Sequence, residues 1–270
     1  MFGRMMRSTA WLLALAVGIA LLAGCSAASA RVDSVTITIA KGGGQFAPYI
    51  QPVEPNSQVT WRNADTVAHT ITTTPDQSAF LNPAKITLTI PAGGSASLTL
   101  SKPGLYDYYE PNAAQWSGAD HRVRANANAP GFPLAMEGVI WVEGKIAGLP
   151  SSATNPIPGK DLFTSQFLAI PSGGTIYWYN ADTDAHTITQ APGWPAPINP
   201  ASFDSFDIKG TEDAPPNGET HSLTFDTPGL YYYYCSAHAR IVAASHRAAP
   251  IQDASAYPIA MEGFILVTAR

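Results

Sequence analysis

One stretch of this chain occurs twice, and that repetition limits its architecture more than any other feature. Trp61-Arg62-Asn63-Ala64-Asp65-Thr66-Val67-Ala68-His69-Thr70-Ile71-Thr72 returns as Trp178-Tyr179-Asn180-Ala181-Asp182-Thr183-Asp184-Ala185-His186-Thr187-Ile188-Thr189, displaced by 117 residues. Pro103-Gly104-Leu105-Tyr106 returns as Pro228-Gly229-Leu230-Tyr231, and Pro133-Leu134-Ala135-Met136-Glu137-Gly138 as Pro258-Ile259-Ala260-Met261-Glu262-Gly263, both displaced by 125. Two similar units follow, the second with eight extra residues between its histidine and its Pro-Gly turn. The boundary falls in the Pro-, Gly- and Ser-rich stretch GLPSSATNPIPGK. The expected organisation is a leader over 1–30, a first domain over 31–147, a linker over 148–155 and a second domain over 156–270.

Within each unit the signals are those of short strands. Ser34-Val35-Thr36-Ile37-Thr38-Ile39, Ile86-Thr87-Leu88-Thr89-Ile90 and Ala96-Ser97-Leu98-Thr99-Leu100 alternate with period two, as does Ser222-Leu223-Thr224-Phe225. With 22 glycines and 23 prolines, about one residue in six interrupts regular structure, and no long helical stripe occurs after the leader. Units of about 115 residues built this way predict an all-β fold: two tandem Greek-key β-sandwiches. A formal charge of -5 without a basic stripe argues against nucleic acid as a partner.

Residues 1–30 have a basic start, an apolar run from Trp11 to Ala23 that is short for a membrane span, and then small residues. Leu22-Ala23-Gly24-Cys25 resembles a bacterial lipobox, which implies cleavage before Cys25 and a lipid anchor on it. Cleavage after Ala28-Ser29-Ala30 is the alternative and releases a soluble chain. Both routes export the protein to the periplasm or another extracytoplasmic space, the lipoprotein being the favoured form. Either way Cys235 is left without a cysteine to pair with, and an exported lone thiol calls for burial or a metal.

The second unit carries the chemistry. His186 follows the strand-like Thr175-Ile176-Tyr177-Trp178-Tyr179. Cys235 follows Leu230-Tyr231-Tyr232-Tyr233-Tyr234, His238 lies three residues on, and Met261 precedes Glu262-Gly263 and a final apolar strand. A thiolate, two imidazoles and a weak thioether are the ligand types of a blue copper electron-transfer site. At these residues the chain resembles the cupredoxins, particularly the exported relatives of plastocyanin, azurin and halocyanin. The resemblance implies one type 1 copper held by His186, Cys235, His238 and Met261, an electron carrier rather than a catalyst, and a redox protein as partner. It covers nearly all of the second unit and, without the cysteine, the first.

This chain departs from the family where 22 residues separate His238 from Met261. His246 lies in that insertion and competes for the second imidazole position, with His238 favoured because His121 stands at the matching place in the first unit. There Glu110 replaces the cysteine and Ala113 the nearby histidine. The first unit therefore reads as a degenerate copy that packs against the second, the sharper alternative being a harder metal site of His69, Glu110 and His121. Met136 and the tyrosine run read as core, two rings of the run facing inward and two outward. Asn63 and Asn180 are expected to brace the ligand loops, and His221 to be exposed. Copper delivery or resistance, and a copper enzyme with an open coordination position, remain the rival functions.

Overall fold

In the computed structural model, residues 34–270 are described. Residues 1–30, read from sequence as a leader with a lipobox at Cys25, lie outside them. The first half runs through β1 (Ser34–Ile39), β2 (Phe46–Ala47), β3 (Ile50–Val53), β4 (Ser57–Asn63), β5 (His69–Thr73) and β6 (Thr87–Ile90). It continues with β7 (Ser95–Leu100), β8 (Gly104–Tyr109), β9 (Ala114–Ser117), β10 (Arg122–Ala125) and β11 (Glu137–Val142). The second half comprises β12 (Ser152–Ile157), β13 (Phe167–Pro171), β14 (Gly174–Asn180), β15 (His186–Gln190) and β16 (Phe206–Ile208). After these come β17 (Thr220–Phe225), β18 (Gly229–Tyr234), β19 (Ala239–Val242), β20 (Arg247–Pro250) and β21 (Glu262–Thr268). No helix among the described residues is long and apolar enough to cross a membrane.

Each half is a sandwich. In the first, a sheet ordered β2-β1-β4-β7 faces one ordered β3-β11-β8-β5-β6; in the second, β12-β14-β17 faces β13-β21-β18-β15-β16. Alternation decides which side chains meet between the sheets. Along β14, Ile176, Trp178 and Asn180 are buried while Tyr177 between them is exposed, and Val59, Trp61 and Asn63 of β4 repeat the pattern. The stretch read as a linker contributes Ser152–Ile157 as β12, paired in parallel with β14 at the end of its sheet. An edge strand tolerates Pro156, because one side of it has no ladder to complete.

Strands β11 and β21 are buried at every position. One face of each lies in its own sandwich, and the other lies in a third core shared by the two halves, which suits their unbroken apolar runs. That shared core joins Tyr49, Leu105, Val139 and Trp141 to Phe167, Leu230, Tyr232, Phe264 and Leu266. Of the outward rings of the tyrosine run, Tyr232 is therefore shut off from solvent and Tyr234 is partly buried. Tyr231 and Tyr233 enter the second sandwich core, and Tyr232 is fully buried against the first half.

Polar groups cross the same interface in related pairs. Arg247 of β20 donates to Ala135 O (2.7 Å) and Glu137 Oε2 (2.6 Å), and Arg122 of β10 donates to Phe163 O. Tyr49 donates to Glu262 Oε1 at 3.0 Å, and Tyr232 donates to the other oxygen of that carboxylate. Together these contacts join the two halves of residues 34–270 into one body. The recurring Met-Glu-Gly also has a local cause. A Cβ on Gly263 would fall 2.4 Å from the Tyr233 ring and one on Gly138 would fall 2.5 Å from the Tyr108 hydroxyl, so each tyrosine needs a bare backbone on the neighbouring strand.

Candidate metal centre

The turn between β14 and β15 is built by its own side chains. Asn180, fully buried, donates to Asp184 O and Ile208 O, both at 2.9 Å, and accepts from the Asp182 amide at 3.0 Å. Asn63 does the same in the first half, donating to Val67 O at 2.7 Å and accepting from the Asp65 amide at 2.8 Å. Both asparagines brace the loop that carries the histidine. The turn places Asp182 Oδ2 3.2 Å from His186 Nε2. With a proton held on Nε2, Nδ1 is the nitrogen that can present a lone pair to a metal.

Cys235 sits just past the end of β18, tied by its amide to Met261 O (2.9 Å) and by its carbonyl to the Ala239 amide (2.9 Å). That one-turn curl brings His238 back over the sulfur. His186 Nδ1 lies 3.9 Å and His238 Nδ1 3.5 Å from Sγ, and the two Nδ1 atoms are 3.1 Å apart. Ligand atoms about 2.0–2.3 Å from one cation lie roughly 3–4 Å from each other, so the three donors fit a single metal ion. The Thr187 amide, 3.3 Å from Sγ, completes the surroundings of the sulfur.

The titration of these groups reflects the same convergence. Burial pushes the Cys235 thiol up, but hydrogen bonds from His186, His238 and the Thr187 amide outweigh it and bring the thiol down to about 6. Burial works against a charged His186, yet its contacts with Cys235 raise it; His238 is raised chiefly by the thiolate.

Of the other residues singled out from sequence, Met261 is buried in the second core beside Cys235. His246 is not part of the cluster. It closes the β19–β20 hairpin at φ 53°, with its carbonyl accepting from Trp194, and His121 closes the matching β9–β10 hairpin at φ 52°. The shared histidine thus marks a turn position. His121 pairs with Asp76 at 2.9 Å on the surface and does not meet His69 or Glu110. Glu110 is occupied locally, accepting from the Ala113 amide (2.7 Å), Asn112 Nδ2 (2.8 Å) and the Thr70 amide (3.4 Å). In place of a metal cluster the first half has a cavity of about 600 Å³ lined by Asp65, His69, Glu110, Ala113 and Met136. His221 is exposed and stacks on Phe206 at 3.8 Å.

Among the described residues, the convergent groups of His, Cys, Asp or Glu are His186–Cys235–His238 and an overlapping set of Asp161, Asp184, His186 and His238. Neither aspartate stood out in the sequence. Asp184 lies within the repeat but faces Val67 in the other copy, and Asp161 is brought in from the turn after β12.

Residues 157–244 match the plastocyanin/azurin family of copper binding proteins. The matched residues include His186, Cys235 and His238 and end before His246 and Met261. Among solved structures, an oxidised amicyanin variant is 18% identical, with 41% of this chain and 82% of that chain covered at a TM-score of 0.28. A reduced Cu(I) amicyanin variant is 20% identical, covering 44% and 87%, at a TM-score of 0.27. No curated protein matches the chain.

Proposed function

We propose that the protein is an exported type 1 copper protein that carries single electrons between redox partners, anchored by lipid on Cys25. The observation that supports this most is the meeting of one thiolate and two imidazole Nδ1 atoms within 3.9 Å at a buried point. In this reading His186, Cys235 and His238 would hold copper strongly and Met261 would be a weak further ligand. Copper bound there would supply a Cu(II)/Cu(I) couple.

The chain's own contribution is to hold the donors still. Asn180 fixes the His186 loop and Asp182 its tautomer, while the amide of Cys235 on Met261 O ties the cysteine to the Met261 segment. Ligands positioned before the metal arrives need little rearrangement when its charge changes. The Thr187 amide draws density from the sulfur, and burial of Cys235 keeps water from it. His238, whose side chain is 16% exposed, offers the edge through which an electron enters.

Protein-film voltammetry with a copper chelator in solution tests this function. A reversible one-electron wave that persists in the chelator is expected. A wave that collapses while copper passes to the chelator favours metal delivery instead.

A further inference from the structure

The 22 residues between His238 and Met261 are the chain's main departure from a compact ligand loop. In the fold they form the β19–β20 hairpin and a loop that returns to the site. Ile251 N donates to His238 O at 3.1 Å, and Ser255 N donates to Asp161 Oδ2 at 2.6 Å. The other oxygen of Asp161 lies 3.4 Å from His238 Nε2, on the side of the ring opposite the sulfur. We propose that this insertion exists to seat Asp161 on His238, and that Asp161 is a positioning residue that sets the reduction potential of the site. The proposal rests on the copper reading above.

Asp161 is held at a cost. Its φ is 49°, in the left-handed region, where the corresponding turn of the first half has Gly42, Gly43 and Gly44. Aspartate is among the few side chains that adopt this region, and here it supplies a carboxylate where the first half has none. Asp184 Oδ2 is also 3.4 Å from His238 Nε2, but that side chain is 52% exposed against 11% for Asp161, so solvent screens its charge.

The first half serves as an internal control. It keeps Asn63, Asp65 and His69 with the contacts of Asn180, Asp182 and His186, so those residues belong to the loop whether or not a thiolate is present. It lacks the cysteine, the second imidazole and the Asp161 carboxylate together. There the two loops meet glycine to glycine, and a Cβ on Gly44 would lie 2.8 Å from Gly131 N. The carboxylate thus accompanies the metal donors.

A carboxylate at Nε2 holds the proton on that nitrogen, keeps Nδ1 as the donor and makes it more basic, which favours Cu(II) over Cu(I). The full chain and its Asp161→Asn and Asp184→Asn variants would be titrated by spectroelectrochemistry. For Asp161→Asn the expected result is a roughly tenfold gain in preference for Cu(I), a rise of about 59 mV, with the thiolate band retained and a smaller shift for Asp184→Asn. Loss of the band in Asp161→Asn with an unchanged far-ultraviolet spectrum would also count for the proposal. A change below about twofold, or equal shifts in the two variants, would overturn it. Should Asp161→Asn fail to fold, nitrogen NMR of His238 in the metal-free parent decides: a proton on Nε2 supports the seat and an unprotonated Nε2 overturns it. That measurement needs no copper, so it also separates failure of this inference from failure of the copper reading.

Discussion

Replacing Arg247 by Met tests what joins the two halves. The guanidinium is almost fully buried, donates to Ala135 O and Glu137 Oε2, lies 3.8 Å from Glu262 Oε1 and covers the Tyr49 ring at 4.0 Å. Its removal leaves two buried carboxylates without their bonded cation, with Arg122 as the remaining counter-charge, a change that costs about 3–5 kcal/mol. The loss should depend on pH in a stated direction. Burial pushes Glu262 up from 4.5 to about 6 even with Arg247 pulling it down. A carboxyl raised in the folded state stabilises fully below its unfolded value near 4.5, and that contribution is lost as pH rises through about 6. Over 1.5 units the parent protein already forgoes about 2 kcal/mol at pH 7. Without Arg247 the carboxyl rises further, so the variant's deficit should be larger at pH 7.5 than at pH 5. Urea unfolding of the metal-free chain measures both. Adding Glu137→Gln and Glu262→Gln should recover more than half of the loss. A deficit below about 1 kcal/mol, or one independent of pH, would refute the account of the interface.

Three further outcomes follow from the site. In the metal-free chain, thiolate absorbance at about 240 nm should develop with a midpoint of about 6, because imidazole contacts favour the ionised sulfur; a midpoint near 9 would contradict the convergence. His246→Asn, which keeps a residue able to adopt positive φ, should leave the copper spectrum unchanged, whereas His238→Gln should abolish it; the reverse pattern would exchange the two roles. Glu110→Cys with Ala113→His should rebuild the missing donors beside His69, so that copper titration roughly doubles the thiolate band per chain. A second equivalent bound without added absorbance would show that the first-half cavity cannot close around a metal.

Much of the arrangement could be read from the residues because it is local. The Trp-x-Asn segments, the Pro-Gly turns and the period-two alternation of β4 and β14 are written in consecutive positions, and so is the curl that returns His238 to Cys235. What escaped is what distant segments decide. Alternation along Tyr231–Tyr234 shows two faces, but nothing in the strand itself reveals that the first half covers the outer one. The Pro-containing β12 reads as a connector until the edge of a sheet gives it a partner. Asp161 carries no motif at all: its approach to His238 depends on a turn 77 residues upstream and on Ser255 from the insertion.

The central claim is that Cys235, His186 and His238 hold copper together, and the optical and electron paramagnetic resonance spectra of the full chain with one equivalent of Cu(II) test it most directly. The account predicts an intense thiolate-to-copper band near about 600 nm with narrow hyperfine splitting, lost in Cys235→Ser. A colourless complex with the wide splitting of ordinary Cu(II) would contradict it.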